Sequence, residues 1–373
     1  MTAVSGNTIT VDIPIVDTIE TRYGGGVVYR VDATGRVSQV GVEDLRLVSE
    51  YSGNTDEDHG WTAVELSNAT NSWVRRVTAQ YFGYAAVRIS SDSAFNTVEE
   101  CAMLDPISVV TGGRRYSFNV NDGTGNLFQR CYSEEARHDF VSGSRTTGPN
   151  VWLDCYSRAS STDDGPHHRW ATGLLFDNTA SYQLNVQNRE DSGTGHGWAG
   201  AQTLFWNAIA RSIICDAPLG AMNWAIGCTA ERLESSRDPG AADGWWESER
   251  RPVAPRSLYL QQLQDRLGPA AVVAVTTPAQ RAGRIWGQLA NWRGEGALAS
   301  HSTDRGDPAC ASGVPSGLSC CEAGCGTCGG PGCSGRPGGA SGCCTGHVSE
   351  SGRSCQVVGA PCMLDPTFPP VGE

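Results

Sequence analysis

Histidines and arginines stand next to one another at two points in the middle of the chain. His138 directly follows Arg137, and the pair His167-His168 directly precedes Arg169. An imidazole exchanges protons near neutral pH, and a guanidinium binds a carboxylate or a sulfate through paired hydrogen bonds. The two clusters therefore predict a surface that binds an anionic ligand and offers it a general base.

Base-catalysed elimination on a uronate-containing chain is the chemistry that these residues suit best. The reaction removes the proton at C5 of the sugar and expels the 4-linked oxygen, so it needs a cation for the carboxylate, a base and an acid. His138 is the first-choice base, because Arg137 can hold an anion beside it and Asp139 can orient its imidazole. His168, or else His167, is the second choice. With Tyr116 as the proton donor, the predicted catalytic residues are His138, His168, Arg137, Arg169 and Tyr116.

A wider set of polar and aromatic residues is expected to hold the sugar chain. Arginines in consecutive turns could line one wall of a groove, and these are Arg114, Arg115, Arg137, Arg145, Arg158 and Arg169. Indole rings could stack on sugar rings, and these belong to Trp152, Trp170 and Trp198. The predicted substrate-binding residues are Arg115, Arg145, Asp139, His167, Trp170, Asn188, His196 and Trp198.

Each histidine also has a structural interpretation, in which its imidazole only lines or supports the binding surface. His167 and His168 are adjacent, so they cannot both point into a groove if they belong to a strand. A glycine-rich segment over residues 185–198 is expected to form a loop that brings Arg189 to the same surface.

A six-residue pattern recurs in the part of the chain that must position these side chains. It places Asn first, an apolar residue two positions later and Cys five positions later, in Asn96–Cys101, Asn126–Cys131, Asn150–Cys155 and Asn223–Cys228. Looser copies start at Val40, Ser72, Ser181 and Thr203, so that successive copies lie 20 to 32 residues apart. Such spacing predicts an all-β coil of short stacked strands, with a ladder of Asn in the turns and a ladder of Cys buried inside. The alternative is that the pattern arises by chance in a Gly- and Asn-rich β-sandwich.

This layout resembles the right-handed parallel β-helix of the pectate-lyase-like superfamily over about residues 35–230. The segment Gly41–Leu47 is similar to the first rung of that group, and residues 138–170 resemble a mostly uncharacterised subset of it. The resemblance implies a groove for polysaccharides along one face of the solenoid, with polysaccharide lyase as the leading activity. Fold-level resemblance transfers function only weakly, so the site residues must carry that argument.

Three regions follow from composition and periodicity. Residues 1–250 are expected to form the β-helix, without its own N-terminal cap, and residues 251–300 a helical connector. One helix should start at Ser257 and end at Gly268, and a second should start at Thr277. The connector is expected to cover the open end of the solenoid. The charged run 238–251 is expected to be a surface loop.

Residues 301–373 are expected to form a small module held by disulfides. Ten of the 15 cysteines lie between Cys310 and Cys362, which predicts about five disulfides and an oxidising compartment. A zinc site built from Cys325, Cys328 and His347 is the alternative. The cysteine content therefore predicts a secreted protein, but the first 30 residues contain no signal sequence. We expect that the signal peptide lies upstream of this chain.

Charge and hydropathy limit the partners. The net charge of −12 and the pI of about 5.1 argue against nucleic acid as a general partner. No run of 18 apolar residues is present, so no membrane span is expected. All 28 basic residues are Arg, so every cationic group besides histidine must be a guanidinium. The predicted partner is an acidic polysaccharide, bound by a monomer.

Two other functions remain open at this stage. A glycoside hydrolase would need two facing carboxylates, for which Asp139 with Asp163 or Asp164 is the available set. A non-catalytic protein of the cell wall or matrix would use the same groove for binding alone. No cofactor is certain, and Ca²⁺ is a candidate only because the acid pairs Glu134-Glu135 and Asp163-Asp164 offer oxygen ligands.

Overall fold

The computed structural model describes residues 2–29 and 32–302. Up to residue 94 the strands are β1 Ala3–Ser5, β2 Thr8–Thr10, β3 Val37–Ser38, β4 Gly41–Val48, β5 Thr62–Ser67, β6 Ala69–Thr70, β7 Trp73–Gln80, β8 Ala85–Ser90 and β9 Ser93–Ala94. Up to residue 166 they are β10 Thr97–Glu99, β11 Ala102–Leu104, β12 Tyr116–Val120, β13 Gly123–Thr124, β14 Leu127–Gln129, β15 Tyr132–Glu134, β16 His138–Ser142, β17 Thr147–Leu153, β18 Tyr156–Arg158 and β19 Gly165–Pro166. The remaining strands are β20 Ala171–Asp177, β21 Ala180–Val186, β22 Gly200–Ala201, β23 Leu204–Trp206, β24 Ile209–Cys215, β25 Trp224–Ile226, β26 Thr229–Arg232 and β27 Trp245–Glu247.

The strands form long parallel sheets. The largest follows the order β26-β24-β21-β18-β15-β11-β7-β10-β14-β17-β20-β23-β25-β27, and β4 pairs with β7 at its middle. A second sheet has the order β19-β16-β12-β8-β5 and a third β13-β9-β6-β3. Most strands pair in parallel with the equivalent strand one repeat away, and only β1 and β2 form an antiparallel hairpin among the named strands. The expected all-β fold with stacked parallel strands is confirmed at this level.

A bend divides most repeats of the largest sheet into two strands. β7 pairs with both β10 and β11, and its bend residue, Arg76, adopts the left-handed region with a φ of 52°, as does the bend residue of later repeats. Glu100, Arg130 and Asp154 occupy this position, with φ angles of 53°, 53° and 51°. The next residue in each of these repeats is the cysteine of the sequence pattern. Its thiol then lies in the interior and donates weakly to backbone carbonyl groups, as Cys101 does to Val74.

The interior is a column of apolar side chains. Phe128, Trp152 and Phe176 stack with ring-centroid distances of 5.6 and 4.7 Å and nearly parallel planes. Trp152 is fully buried in this column, so the prediction that its indole stacks on a sugar is wrong. The five cysteines of the described residues are free and buried, which confirms that they act as small apolar groups.

The asparagines form the predicted ladder. Oδ1 of Asn96 accepts from the backbone N–H of Ser72, Oδ1 of Asn126 from that of Asn96, and Oδ1 of Asn150 from that of Asn126, at 3.0 to 3.1 Å. Asn223 repeats the contact with the N–H of Thr203 at 2.8 Å. Each buried amide thus satisfies a turn of the preceding repeat. This ladder fixes the register of the stack.

Four helices follow the last strand: α1 Leu258–Leu267, α2 Pro269–Val275, α3 Pro278–Ala282 and α4 Trp286–Trp292. Ser257 caps α1 through the N–H of Leu260, and Gly268 ends the helix where the sequence predicts. Thr277 caps α3 as expected. This helix ends at Gly283 and a new one begins at Trp286, so the predicted second helix is two separate helices. A helical turn at Ser192–Gly195 and 3₁₀ turns at Thr21–Tyr23 and Leu298–Ser300 complete the elements.

These helices lie along the flank of the largest sheet rather than over one end of the stack, which corrects the expected position. Leu260 packs with Leu153 and its neighbours on successive strands, and Trp286 packs with Tyr156. Arg256 forms an ion pair of 2.6 Å with the buried Asp154. The helices therefore bury the outer face of the strands that they cover.

Two further segments differ from the expectations. Trp245–Glu247 is a strand that pairs with β25, not part of a surface loop. The N-terminal segment lies against turns of the body around residues 13–16, where Ile13 lies beside Gly125 and Val16 beside Gly173. The predicted cysteine-rich module and the alternative zinc site fall on residues 303–373, outside the described residues. Among the described residues, no helix has the length and apolar character that spanning a membrane requires.

Candidate functional site

The candidate site lies where the second sheet begins. Tyr116 opens β12 and His138 opens β16, and the two residues pair directly in the parallel register. The bend that follows β19 carries His167 and His168 to the same place from the next repeat. The loop after β21 adds Arg189 and neighbouring residues. Stacking of successive repeats thus gathers groups that are distant in sequence.

The hydroxyl group of Tyr116 is the centre of the site. Nη1 of Arg137 donates to it at 3.0 Å, and Nε2 of His167 lies 3.1 Å from it. Nδ1 of His167 lies 2.9 Å from Nδ1 of His168, so the polar contacts continue outward as a chain. The imidazole of His196 completes the cluster, with its centroid 4.9 Å from that of His167.

A cavity of about 450 Å³ opens over this hydroxyl. Three guanidinium groups line it, from Arg137, Arg189 and Arg237, together with the rings of Tyr116, His167 and His196. The rest of the lining comes from small residues at 112–113 and 192–194. None of these described lining residues carries a carboxylate, so the cavity is strongly cationic.

Arg189 is almost completely buried, and a hydrogen bond to the backbone holds its guanidinium in place. Its Nη1 donates to the backbone carbonyl of His167 at 3.1 Å, while Nε has no hydrogen-bond partner among the described residues. Arg237 reaches the cavity from a loop nearly 50 residues further on and donates to the hydroxyl of Ser192 at 2.9 Å. A buried guanidinium with an unused donor favours an anionic ligand.

The imidazoles of the cluster are neutral at pH 7. Burial lowers the pKa of His168 to about 4, and burial together with neighbouring cations lowers the pKa values of His167 and His196. The arginines around them disfavour a further positive charge. The fixed positive charge of the cavity therefore belongs to guanidinium groups, while the neutral imidazoles can accept hydrogen bonds.

His138 lies beneath the cavity rather than in it. Its side chain is 1 % exposed, covered by the rings of Tyr116 and His167 at centroid distances of 4.9 Å each. Nδ1 contacts the backbone carbonyl of Asp163 and the hydroxyl of Thr162, and burial lowers the pKa of His138 to about 4. A sugar bound in the cavity cannot reach it, so its predicted role as the base does not fit its position.

Asp139 also departs from its predicted role. It is fully buried and accepts hydrogen bonds from the hydroxyl groups of Ser133 and Ser160, not from an imidazole. Burial raises the pKa of Asp139 to about 6. Asp164 is buried beside it and accepts the backbone N–H of Asp139. The pair proposed for a hydrolase therefore faces the interior, away from any sugar.

Only one of the six arginines predicted to form a wall lines the cavity, namely Arg137. Arg114 is paired with Glu57, and Arg115 donates to the backbone carbonyl of Ser108 at 2.7 Å. Arg145 and Arg158 are exposed and do not line the cavity.

Arg169 instead holds the loop that forms the cavity rim. Its guanidinium donates to the carbonyls of Thr194 and Gly195 at 2.7 and 3.2 Å. It is therefore a positioning residue. His167 and His168 both join the cluster, because they lie in a bend rather than in a strand and alternation does not apply to them.

The remaining predicted residues lie beside the cavity. Trp170 and Trp198 line a second cavity, and Nε1 of Trp170 donates to Asp17 at 2.7 Å. Asn188 donates to Glu190 and to Asp238, so its amide supports the loop rather than facing the cavity.

The acid pairs do not fit a calcium site. Glu134 accepts from the hydroxyl of Tyr132 and is paired with Arg293 on the helical flank, so a guanidinium already compensates its charge. Within the described ranges, no three or more His, Cys, Asp and Glu side chains are arranged so that they could hold a metal ion. Calcium needs six to eight oxygen ligands.

Some lining groups were missed or left unassigned by the sequence analysis. Arg237 lies at the start of a charged run that looked like a solvated loop, and no spacing linked it to the histidines. Gly112 and Gly113 lie in the loop before β12, where small residues leave the cavity open. From the sequence, Arg189 could be assigned only to a glycine-rich loop.

Comparison of the chain with protein-family models, with curated proteins and with solved structures finds no match in any of the three. The resemblance to the pectate-lyase-like superfamily therefore stays a prediction, and the chemistry must be argued from the site itself.

Proposed function

We propose that the chain is a right-handed parallel β-helix of the pectate-lyase-like kind that cleaves an acidic polysaccharide by β-elimination outside the cell. The observation that carries the proposal is the Tyr116 hydroxyl between Arg137 and a neutral His167, at the base of a cationic cavity. The stacked parallel sheets support the fold assignment, because they give the repeating surface on which such sites are built.

The anionic group of the sugar is held first. Arg137, Arg189 and Arg237 surround the opening, and two or three guanidinium groups can bind and neutralise the carboxylate of a uronate. Neutralising that carboxylate makes the neighbouring C5 proton more acidic, because the electron pair left on C5 is delocalised into it.

Proton removal then falls to Tyr116. Its hydroxyl passes its proton to Nε2 of His167, and the phenolate oxygen, stabilised by Arg137, takes the proton from C5. The C5–H electron pair forms the C4–C5 double bond, and the bond from C4 to the glycosidic oxygen breaks. The leaving oxygen takes the proton from the imidazolium of His167. The anionic sugar raises the proton affinity of that imidazole during the reaction.

The histidine contacts fit this direction of transfer. When Nε2 of His167 accepts from Tyr116, the ring proton sits on Nδ1 and is donated to Nδ1 of His168 at 2.9 Å. His138 supports the rings from below, and Arg169 holds the rim. His168 and Arg169 therefore act as positioning residues in this scheme.

A hydrolase is the weaker alternative, because no carboxylate of the described residues lines the cavity. Simple binding would use the same arginines without proton transfer. The two alternatives differ from elimination in their products, since only elimination leaves a C4–C5 double bond at the new end of the chain.

The test is a panel of alginate, pectate, glucuronan, ulvan and fucoidan. We expect at least one of the uronate polymers to give ultraviolet-absorbing unsaturated ends together with new reducing ends. Arg137→Gln should abolish this product, while Arg266→Gln, on an exposed part of α1, should not change it. Reducing ends without ultraviolet absorbance would show a hydrolase, and retention without products a binding protein.

A further inference from the structure

We infer that the second cavity, between Trp170, Trp198 and the N-terminal segment, is a sugar subsite for an uncharged ring. This inference rests on the proposed function and names its substrate class. The substrate would be a chain in which uronates alternate with neutral sugars such as N-acetylhexosamines, rather than a polymer of uronates alone.

The second cavity measures about 430 Å³ and has walls from two parts of the chain. The indoles of Trp170 and Trp198 form one wall. Asp17, Glu20 and Tyr23 of the N-terminal segment line the cavity together with these indoles. The exposed turn at residues 218–220 closes one side. A cavity of this size, with aromatic walls and a few polar groups, is typical of small-ligand sites.

The lining groups suit the two kinds of surface that a sugar ring offers. Aromatic rings are large, flat apolar surfaces that pack well against the C–H faces of a pyranose. Asp17 supplies the polar counterpart. Its Oδ2 accepts from Nε1 of Trp170 at 2.7 Å and its Oδ1 from the N–H of Thr18 at 2.8 Å. Each carboxylate oxygen has a second acceptor position, so hydroxyl or amide groups of a ligand can still donate to Asp17.

The two cavities differ in the charge of the residues that line them. The cavity over Tyr116 has three arginines and no carboxylate in its described lining, whereas the second has Asp17 and Glu20 and no cation. Glu20 is paired with Arg22, which leaves Asp17 as the unpaired charge. A uronate carboxylate would be attracted to the first cavity and repelled from the second. A neutral ring avoids that repulsion.

The same two hydrogen-bonded backbone segments contribute to both cavities. The N–H of Arg169 donates to the carbonyl of His196 at 2.9 Å, and that of Trp170 to the carbonyl of Trp198 at 2.7 Å. His196 lines the first cavity and Trp198 lines the second, and two residues of chain span at most about 7 Å. One polysaccharide can therefore place neighbouring rings in the two cavities.

The experiment compares three ligands that differ in which kinds of sugar they contain. Glucuronan contains uronate alone, hyaluronan alternates the same uronate with N-acetylglucosamine, and N-acetylglucosamine oligomers contain the neutral sugar alone. Binding to the full chain is measured by calorimetry, and for the neutral oligomers also by tryptophan fluorescence. Trp198→Ala should weaken hyaluronan binding about tenfold and abolish oligomer binding, with no change for glucuronan.

Two further variants separate the possible failures. Trp245→Ala removes an exposed indole outside both cavities and should change none of the three affinities. Arg137→Gln should weaken both acidic polymers and leave the neutral oligomers unaffected. If Trp198→Ala weakens glucuronan as much as hyaluronan, or changes neither hyaluronan nor the oligomers, the neutral subsite is refuted. If Arg137→Gln leaves both acidic polymers unaffected while Trp198 matters, the proposed function fails and the subsite stands.

Discussion

At the scale of single residues, the environment of Tyr116 decides what the site can do. A phenol transfers its proton poorly at neutral pH unless a base accepts it and a cation stabilises the phenolate. His167 and Arg137 lie at hydrogen-bonding distance on two sides of the hydroxyl. The neutral state of the imidazole, which follows from burial among arginines, is what makes it an acceptor.

Tyr116→Phe should therefore lower the elimination rate by about 100-fold or more, since positioned acid–base groups contribute about that much. The variant keeps the ring that covers His138, so the folded state should be retained. Initial rates of double-bond formation give the measurement, and Tyr51→Phe, at an exposed tyrosine, is the matched control. Unchanged activity in Tyr116→Phe would remove the hydroxyl from the mechanism.

The dependence of activity on pH follows from the same histidines. Burial lowers the pKa of His168 to about 4 and also lowers those of His167 and His196, so the imidazoles stay neutral well below the ordinary histidine value of about 6.5. As the pH falls, kcat/KM should hold through 6.5 and decline only as it approaches 4. A decline centred near 6.5 would show that an ordinary, solvated histidine controls the reaction.

At the scale of elements, the asparagine ladder holds neighbouring repeats in register. Oδ1 of Asn126 accepts from both the backbone N–H and the side-chain amide of Asn96, and its own Nδ2 donates to Asn150. All three amides are buried. Removing one of them leaves donors and acceptors without partners in two repeats.

Asn126→Ala should lower the free energy of unfolding by about 2 to 4 kcal/mol, because each buried group that loses its partner costs about 1 to 3 kcal/mol. Urea unfolding followed by circular dichroism gives the value. Asn54→Ala, in an exposed turn, should cost little by comparison. Equal effects of the two substitutions would mean that the ladder does not stabilise the stack.

The ladder also shows why the sequence predicts the scaffold better than the site. A ladder needs the same residue type at the same place in each repeat, and this leaves a visible pattern in Asn and Cys. The site lies at corners, where side-chain direction does not alternate. His138 and Asp139 are both buried, and neither faces the cavity. Their order in the sequence could not predict this.

The cavity itself could not be predicted for a related reason. Its lining comes from segments separated by loops of variable length, and Arg237 enters from the loop between β26 and β27. Tyr116 and His167 were identified because they are rare residue types in a conspicuous cluster. Their contact with each other, over 51 residues of sequence, depends on the stacking.

At the scale of the whole molecule, the helical segment is joined to the sheets through buried carboxylates. Asp177 accepts from the hydroxyl of Ser257 and from the N–H of Tyr259 at the start of α1. Burial raises the pKa of Asp177 to about 7. The raised pKa means that the folded chain holds this proton when the unfolded chain has lost it.

The contribution of Asp177 to stability is therefore complete below the unfolded pKa of about 4 and is lost as the pH rises through about 7. Asp177→Asn removes this titration. Between pH 5 and pH 8, the native chain should lose about 2 kcal/mol of stability relative to the variant, because one pKa unit corresponds to 1.36 kcal/mol. Chemical unfolding of both proteins across this range gives the difference. Parallel curves for the two would show that Asp177 titrates as an ordinary surface carboxylate.

The column of buried thiols gives the molecule an internal reporter. Burial raises the pKa values of Cys101 and Cys131, so a thiol-directed alkylating reagent cannot react with either while its repeat remains closed. Each modified cysteine, identified by mass spectrometry, would mark the moment at which its own layer parts from the next. The order in which Cys101, Cys155 and Cys228 become alkylated would thus show whether the stack opens from an end or from the middle.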